Sequence, residues 1–193
     1  MSDQGIKSRP RYAPLSLDLS GRSHLLVADH AHIEGSAFAA GCGVADFPER
    51  WTIEAHSRAI PSPLPGDLIH GFRSQAHLLI ALRRRLQHEH MGFRLYAIGT
   101  EGFLWDVAGT AEATGMGKDE YRLFAVGSGA RRVFCVHCRT VTPAVTTNLV
   151  DCAGCGAQLF VRDHFSRRLN AFMGFQIDSE VPGETIPVEV LYP

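Results

Sequence analysis

The chain has 193 residues, 45% of them hydrophobic and 20% charged, which suits one ordinary core plus a small appendage and excludes a disordered chain. A formal net charge of −1 gives no overall field that would recruit nucleic acid or an anionic membrane surface, so neither is expected as a partner. No apolar run approaches the roughly 18 to 20 residues of a membrane helix, and the first residues lack a secretory apolar stretch, so a cytoplasmic chain with reduced thiols is expected.

Residues 1–20 hold prolines and isolated apolar positions without a period, which predicts an extended leader that orders only against the body or a partner. His24–Ala28 is a short apolar run stopped by Asp29 and reads as a buried strand. From Glu34 to Ile69, small residues mix with Pro48, Pro61, Pro63 and Pro65, so loops and at most one short helix near residues 37–45 are expected. Ser74 can cap the helix that follows, in which Ala76, Leu79, Ile80, Leu82 and Leu86 recur at helical spacing while Arg83, Arg84, Arg85 and Glu89 take other faces. Phe93–Ile98 is a second apolar strand, residues 101–114 form an irregular helix, and Tyr121–Val126 is a third strand ending at Gly127. Alternation of strand and helix implies parallel pairing with right-handed crossovers, hence an α/β class with a small three-layer Rossmann-like domain over residues 21–130.

In such a sheet the loops after Ala28, Ile98 and Val126 open at one edge, where ligands of open α/β folds bind. Gly127-Ser128-Gly129 offers a backbone that a phosphate of NAD(P)H could approach, and equally a tight turn into the next module. No G-x-G-x-x-G follows the first strand, where that fingerprint belongs. Asp29-His30-Ala31-His32 falls at the same edge and reads as either a binding group or surface residues. Neither a Gly-x-Ser-x-Gly elbow nor a His-Glu-x-x-His helix is present to anchor hydrolysis, and no catalytic residue is assigned.

The chemistry gathers in FCVHCRTVTPAVTTNLVDCAGCG, where Cys135 and Cys138 form one Cys-x-x-Cys pair and Cys152 and Cys155 another. Each pair makes a tight knuckle with both sulfurs toward one ion, and two facing knuckles complete a tetrahedron of thiolates suited to zinc or to a single iron. Gly156 follows the second pair but Arg139 follows the first, and small residues at both places favour electron-carrying iron, so zinc in a structural role is preferred. The segment between the knuckles is β-prone, which predicts a zinc ribbon over residues 131–162 rather than a redox pair. Arg131, Arg132 and Arg139 stand close enough in sequence to offset the thiolate charge. His137 and His164 are unneeded as ligands, and Cys42 stands apart in a small-residue loop. Residues 163–193 then read as a docking tail with an acidic end, in which Phe165, Phe172, Met173 and Phe175 combine with Arg167 and Arg168, the residue types enriched at interface centres.

On the junction YRLFAVGSGARRVFCVHC, the paired knuckles and the segment DHFSRRLNAFMGF, the chain resembles the small subunit of dimethylamine monooxygenase. The resemblance implies an accessory subunit of a hetero-oligomeric, NAD(P)H- and O₂-dependent oxygenase that converts dimethylamine to methylamine and formaldehyde. It places haem, flavin and an iron–sulfur cluster on partner subunits, and the chain has neither a haem-attachment Cys-x-x-Cys-His nor a ferredoxin-type cysteine set. The α/β domain is similar to a reduced nucleotide domain of ferredoxin reductases.

Overall fold

The computed structural model describes residues 8–30, 41–43, 46–53, 68–179, 183 and 185–193. The chain divides into two compact units, Tyr12–Gly127 and Ser128–Pro193, the second joined by the described residues before Tyr12.

The first unit is built on five parallel strands, β1 (Ser23–Ala28), β2 (Glu49–Ile53), β3 (Leu68–Phe72), β4 (Phe93–Gly99) and β5 (Tyr121–Ala125), in the order β3-β2-β1-β4-β5. That is the strand order of dinucleotide-binding sheets, with the reversal between β1 and β4. Helices α1 (Gln75–Leu86) and α2 (Glu101–Ala113) make the crossovers from β3 to β4 and from β4 to β5.

Three strands and both helices stand where the hydrophobic periods place them. Strands β2 and β3 replace expected loop. Their pattern is hidden because β2 interrupts its apolar residues with Glu49 and Arg50 directly after Pro48, and β3 is an edge strand with no buried residue. The short helix expected near residues 37–45 falls largely outside the described residues.

Ser74 caps α1 by accepting from the His77 amide at 3.3 Å. The buried stripe of this helix is Leu78, Leu82 and Leu86, spaced by four, whereas Ala76 and Ile80, expected on that face, are exposed. The Leu stripe packs with Phe103, Leu104 and Val107 of α2 on Leu25, Val27, Leu95 and Ala97 of the central strands. Both helices therefore lie on one face of the sheet. Among the described residues, the opposite face, carrying Leu26, Ala28, Tyr96 and Ile98, is covered by Leu15 and Phe47. Residues 12–20 belong to this unit, with Leu15 buried and the Asp18 amide donating to the Tyr96 hydroxyl at 2.9 Å. The expected leader is thus ordered against the body from Tyr12 onward.

The second unit is a five-stranded sheet of β6 (Arg131–Cys135), β7 (Val141–Val145), β8 (Leu149–Asp151), β9 (Gln158–Ser166) and β10 (Ala171–Gln176), in the order β7-β6-β10-β9-β8. Hairpins β6–β7 and β8–β9 are the two halves of the expected ribbon. The last strand, β10, lies between them, parallel to β6 and antiparallel to β9. A ribbon ending at 162 and a tail starting at 163 do not describe this arrangement: β9 runs through the boundary and β10 is the middle strand. The C-terminal residues also return to the sheet, where the Asn148 side chain bonds Pro187 O at 2.9 Å and the Glu189 amide at 2.7 Å, and the Leu191 and Tyr192 amides donate to Thr146 O.

Candidate metal centre

Cys135 closes β6 and Cys138 lies in the turn toward β7; Cys152 follows β8 and Cys155 lies in the turn into β9. The two turns share one hydrogen-bonding pattern. In the first, the Cys135 amide donates to Thr140 O at 2.9 Å and the Arg139 amide to Cys135 O at 2.8 Å; in the second, the Cys152 amide donates to Ala157 O and the Gly156 amide to Cys152 O, both at 2.9 Å. The residue after each second cysteine is left-handed, Arg139 at φ 65° and Gly156 at φ 71°. Arg139 therefore adopts the glycine-like conformation that its side chain made unexpected from sequence, at a cost of roughly 1 kcal/mol.

Strand β10 brings the two knuckles together. Gly174 sits opposite Cys135, and its carbonyl accepts from the Val136 amide at 3.2 Å, while a Cβ at Gly174 would lie 2.6 Å from Val133 Cγ1. The four sulfurs lie within 4.8 Å of one another, with 3.9 Å between Cys135 and Cys155 and 3.4 Å between Cys138 and Cys152. A tetrahedron with metal–sulfur bonds of about 2.3 Å has edges of about 3.8 Å, so the cage is the size that a single tetrahedral ion needs. Cys135 and Cys152 are buried, Cys138 is half-buried and Cys155 is exposed.

Thr140, Thr142 and Gly154 hold the sulfurs, and sequence reasoning overlooked all three because only the cysteines announce a metal. The Thr140 hydroxyl and amide hold the Cys138 thiol down to about 6. Cys152 is lowered by the amides of Cys155 and Gly154, the latter 3.4 Å from its sulfur. At Cys155 the Ala157 amide favours the thiolate, but desolvation and the Cys138 and Cys152 sulfurs outweigh it and push the thiol up to about 11. A metal entering at neutral pH must displace that proton, so affinity rises with pH. Thr142 Oγ1 accepts from the Ala153 amide at 3.1 Å, tying the second knuckle to β7. A Cβ at Gly154 would overlap the Thr140 hydroxyl and stand 3.2 Å from Cys138 Sγ. Gly154→Ala is accordingly expected to weaken metal binding by about tenfold to a hundredfold, read by competition with a chromophoric chelator.

The remaining expected site residues are used differently. Arg131 does not offset the thiolates: its guanidinium pairs with Asp163 at 2.7 Å and lies between the rings of Phe172 and Tyr192. The unit boundary falls within the Gly127-Ser128-Gly129 loop. Ser128 Oγ accepts from the Ala130 amide at 3.1 Å and the Gly129 amide donates to Pro193 O at 2.6 Å, so these two amides are engaged within the C-terminal unit. Of the expected docking residues, Phe165 and Phe172 are buried against each other with ring centroids 5.0 Å apart, because β10 is central. Met173 and Phe175 instead line a groove of about 730 Å³ with Phe160, Arg162 and His164, and Arg167 and Arg168 are exposed in the turn between β9 and β10. His137 is exposed, His30 hydrogen-bonds Asp29, and His32 lies outside the described residues. Cys42 is half-buried and outside the cage. No helix among the described residues is long and apolar enough to cross a membrane.

Two family models match the chain: the N-terminal domain of dimethylamine monooxygenase subunit DmmA-like proteins over residues 4–121, and their C-terminal domain over residues 132–175. A curated relative, the heme-dependent oxidative N-demethylase delta subunit of Ectopseudomonas mendocina (strain ymp), is 40% identical over 111 residues. That match spans 58% of this chain and 63% of the relative, less than two thirds of its length. No solved structure matches.

Proposed function

Because the chain belongs to the dimethylamine monooxygenase subunit DmmA-like family, we propose that it is an accessory subunit of a cytoplasmic, NAD(P)H- and O₂-dependent oxygenase that converts dimethylamine to methylamine and formaldehyde. In this reading the haem and the flavin with its iron–sulfur cluster reside on partner subunits. Support comes from the relative, the delta subunit of a heme-dependent oxidative N-demethylase, and from the four thiolates that this chain gathers as one donor set.

The observation that carries the structural role is the convergence of Cys135, Cys138, Cys152 and Cys155 from two hairpins that β10 joins. Zinc bound there would have all four positions filled by sulfur, with none left for water or substrate, so it would cross-link the hairpins. This chain's residues then shape a folded surface, and Met173, Phe175, Arg167 and Arg168 are the side chains offered for docking.

One observation favours a second reading. Arg139 takes the same left-handed conformation as Gly156, so both knuckles turn amides toward sulfur, as an electron-carrying iron site requires. Metal analysis and a visible spectrum of the chain purified with its co-expressed partner subunits separate the two. One zinc per chain, with no colour from the isolated subunit, is expected; a red subunit that bleaches on reduction establishes iron and electron transfer instead.

A further inference from the structure

The strand order of the first unit is that of nucleotide-binding folds, so the fold itself implies a dinucleotide at the crevice between the ends of β1 and β4. A phosphate can be held there by unpaired amides at a helix start, where the peptide dipoles favour negative charge, and the helix start described at this crevice is that of α2. That helix start does not fit a phosphate. Directly after Ala28 the chain reads Asp29-His30-Ala31-His32, with no glycine before Gly35.

Asp29 also reaches across the strand reversal. Its Oδ2 accepts from the Thr100 amide, the N-cap position of α2, at 2.6 Å, and its own amide donates to Ile98 O at 3.3 Å. The other carboxylate oxygen hydrogen-bonds His30 Nδ1. The side chain is only 13% exposed. Gly99 makes the approach possible: it holds φ 153°, and a Cβ there would overlap the Asp29 carboxylate. The first turn of α2 contributes a second acid, Glu101, whose Oε1 accepts from the Tyr12 hydroxyl at 2.8 Å.

We infer that Asp29 is a built-in substitute for a ligand phosphate at the start of α2, so that this side of the β1–β4 crevice does not bind a phosphate of NAD(P)H. A phosphate brought to Thr100 would have to displace a carboxylate already bonded there and would face two fixed negative charges. The inference concerns this crevice alone and is independent of which ion the thiolate cage holds.

The test follows the Thr100 and Gly99 amide resonances in nitrogen–proton correlation spectra of the full chain with its metal bound, during titration with NADPH and separately with inorganic pyrophosphate. Neither titrant is expected to move them in the wild-type protein. In Asp29→Ser, which removes the carboxylate and releases the Thr100 amide, pyrophosphate is expected to move both, with affinity at least about tenfold above any seen in the wild type. A saturable NADPH-dependent shift at Thr100 in the wild-type chain overturns the inference, and that measurement stands even if the variant does not fold. A folded Asp29→Ser variant that still ignores pyrophosphate removes Asp29 as the cause and overturns it equally.

Discussion

Replacing Cys152 by Ser is expected to melt the C-terminal unit while the α/β unit stays folded. Removal of one buried thiolate leaves three sulfurs around the ion, and apparent metal-binding free energies of about 10 to 16 kcal/mol are the size of a whole domain's stability. A sheet of this size, with no helix among its described residues, buries too little apolar surface to stand alone. The strands beside the cage are short or end on it: β8 has three residues and ends one position before Cys152, and β6 ends on Cys135. Hydrogen exchange should show protection lost throughout β6, β9 and β10 and retained in β1 and β4, and a strong chelator should give the same map in the wild-type protein. The signature in a thermal melt is loss of one transition and survival of the other. Unchanged protection in β9 and β10 after complete metal removal would falsify a load carried by the cage.

The cage was legible because four cysteines in two pairs of short spacing point to a single metal-binding cage. Its supports were not. Thr140, Thr142 and Gly154 are ordinary turn and strand residues until the two knuckles face each other, and that meeting depends on β10, some 20 residues beyond Cys155. Phe165 and Phe172 looked like interface residues because composition cannot distinguish an aromatic buried in its own sheet from one awaiting a partner; the insertion of β10 decides it.

The α/β unit divides in the same way. Central strands β1 and β4, buried on both faces, announce themselves as continuous apolar runs, whereas edge strand β3 carries His70 and Gly71 with no buried residue and gives no such pattern. Ala76 and Ile80 each stand two residues, about 200° of helix, from Leu78, so they fall on the side of α1 opposite the buried stripe, a placement that their hydrophobicity alone does not reveal. Asp29 reads as a strand terminator in the sequence, and only the pairing of β1 with β4 places it on the Thr100 amide.

Arg131→Ala is expected to lower the stability of the C-terminal unit by about 3 kcal/mol with the metal still bound. Arg131 opens β6 and is 4% exposed. Its guanidinium lies 3.9 Å from the centroid of Phe172 on β10 and 3.6 Å from that of Tyr192, with Nη1 2.7 Å from Asp163 on β9. One side chain thus links β6, β9, β10 and the C-terminal segment, and truncation removes two ring contacts and an ion pair from a nearly dry place. Asp163 is 40% exposed and reaches water when orphaned, which keeps the loss near the lower end for a broken buried pair. Arg131→Lys retains the charge but not the flat cation that both rings cover, so it should recover less than half of the loss. Urea unfolding of the metal-loaded protein measures the change. Exchange at the Leu191 and Tyr192 amides, which donate to Thr146 O, locates it, since release of the C-terminal segment should precede any loss in β6. If those two amides stay protected and the midpoint does not move, the segment is held by the Asn148 contacts alone and the stacked cation contributes nothing to the fold.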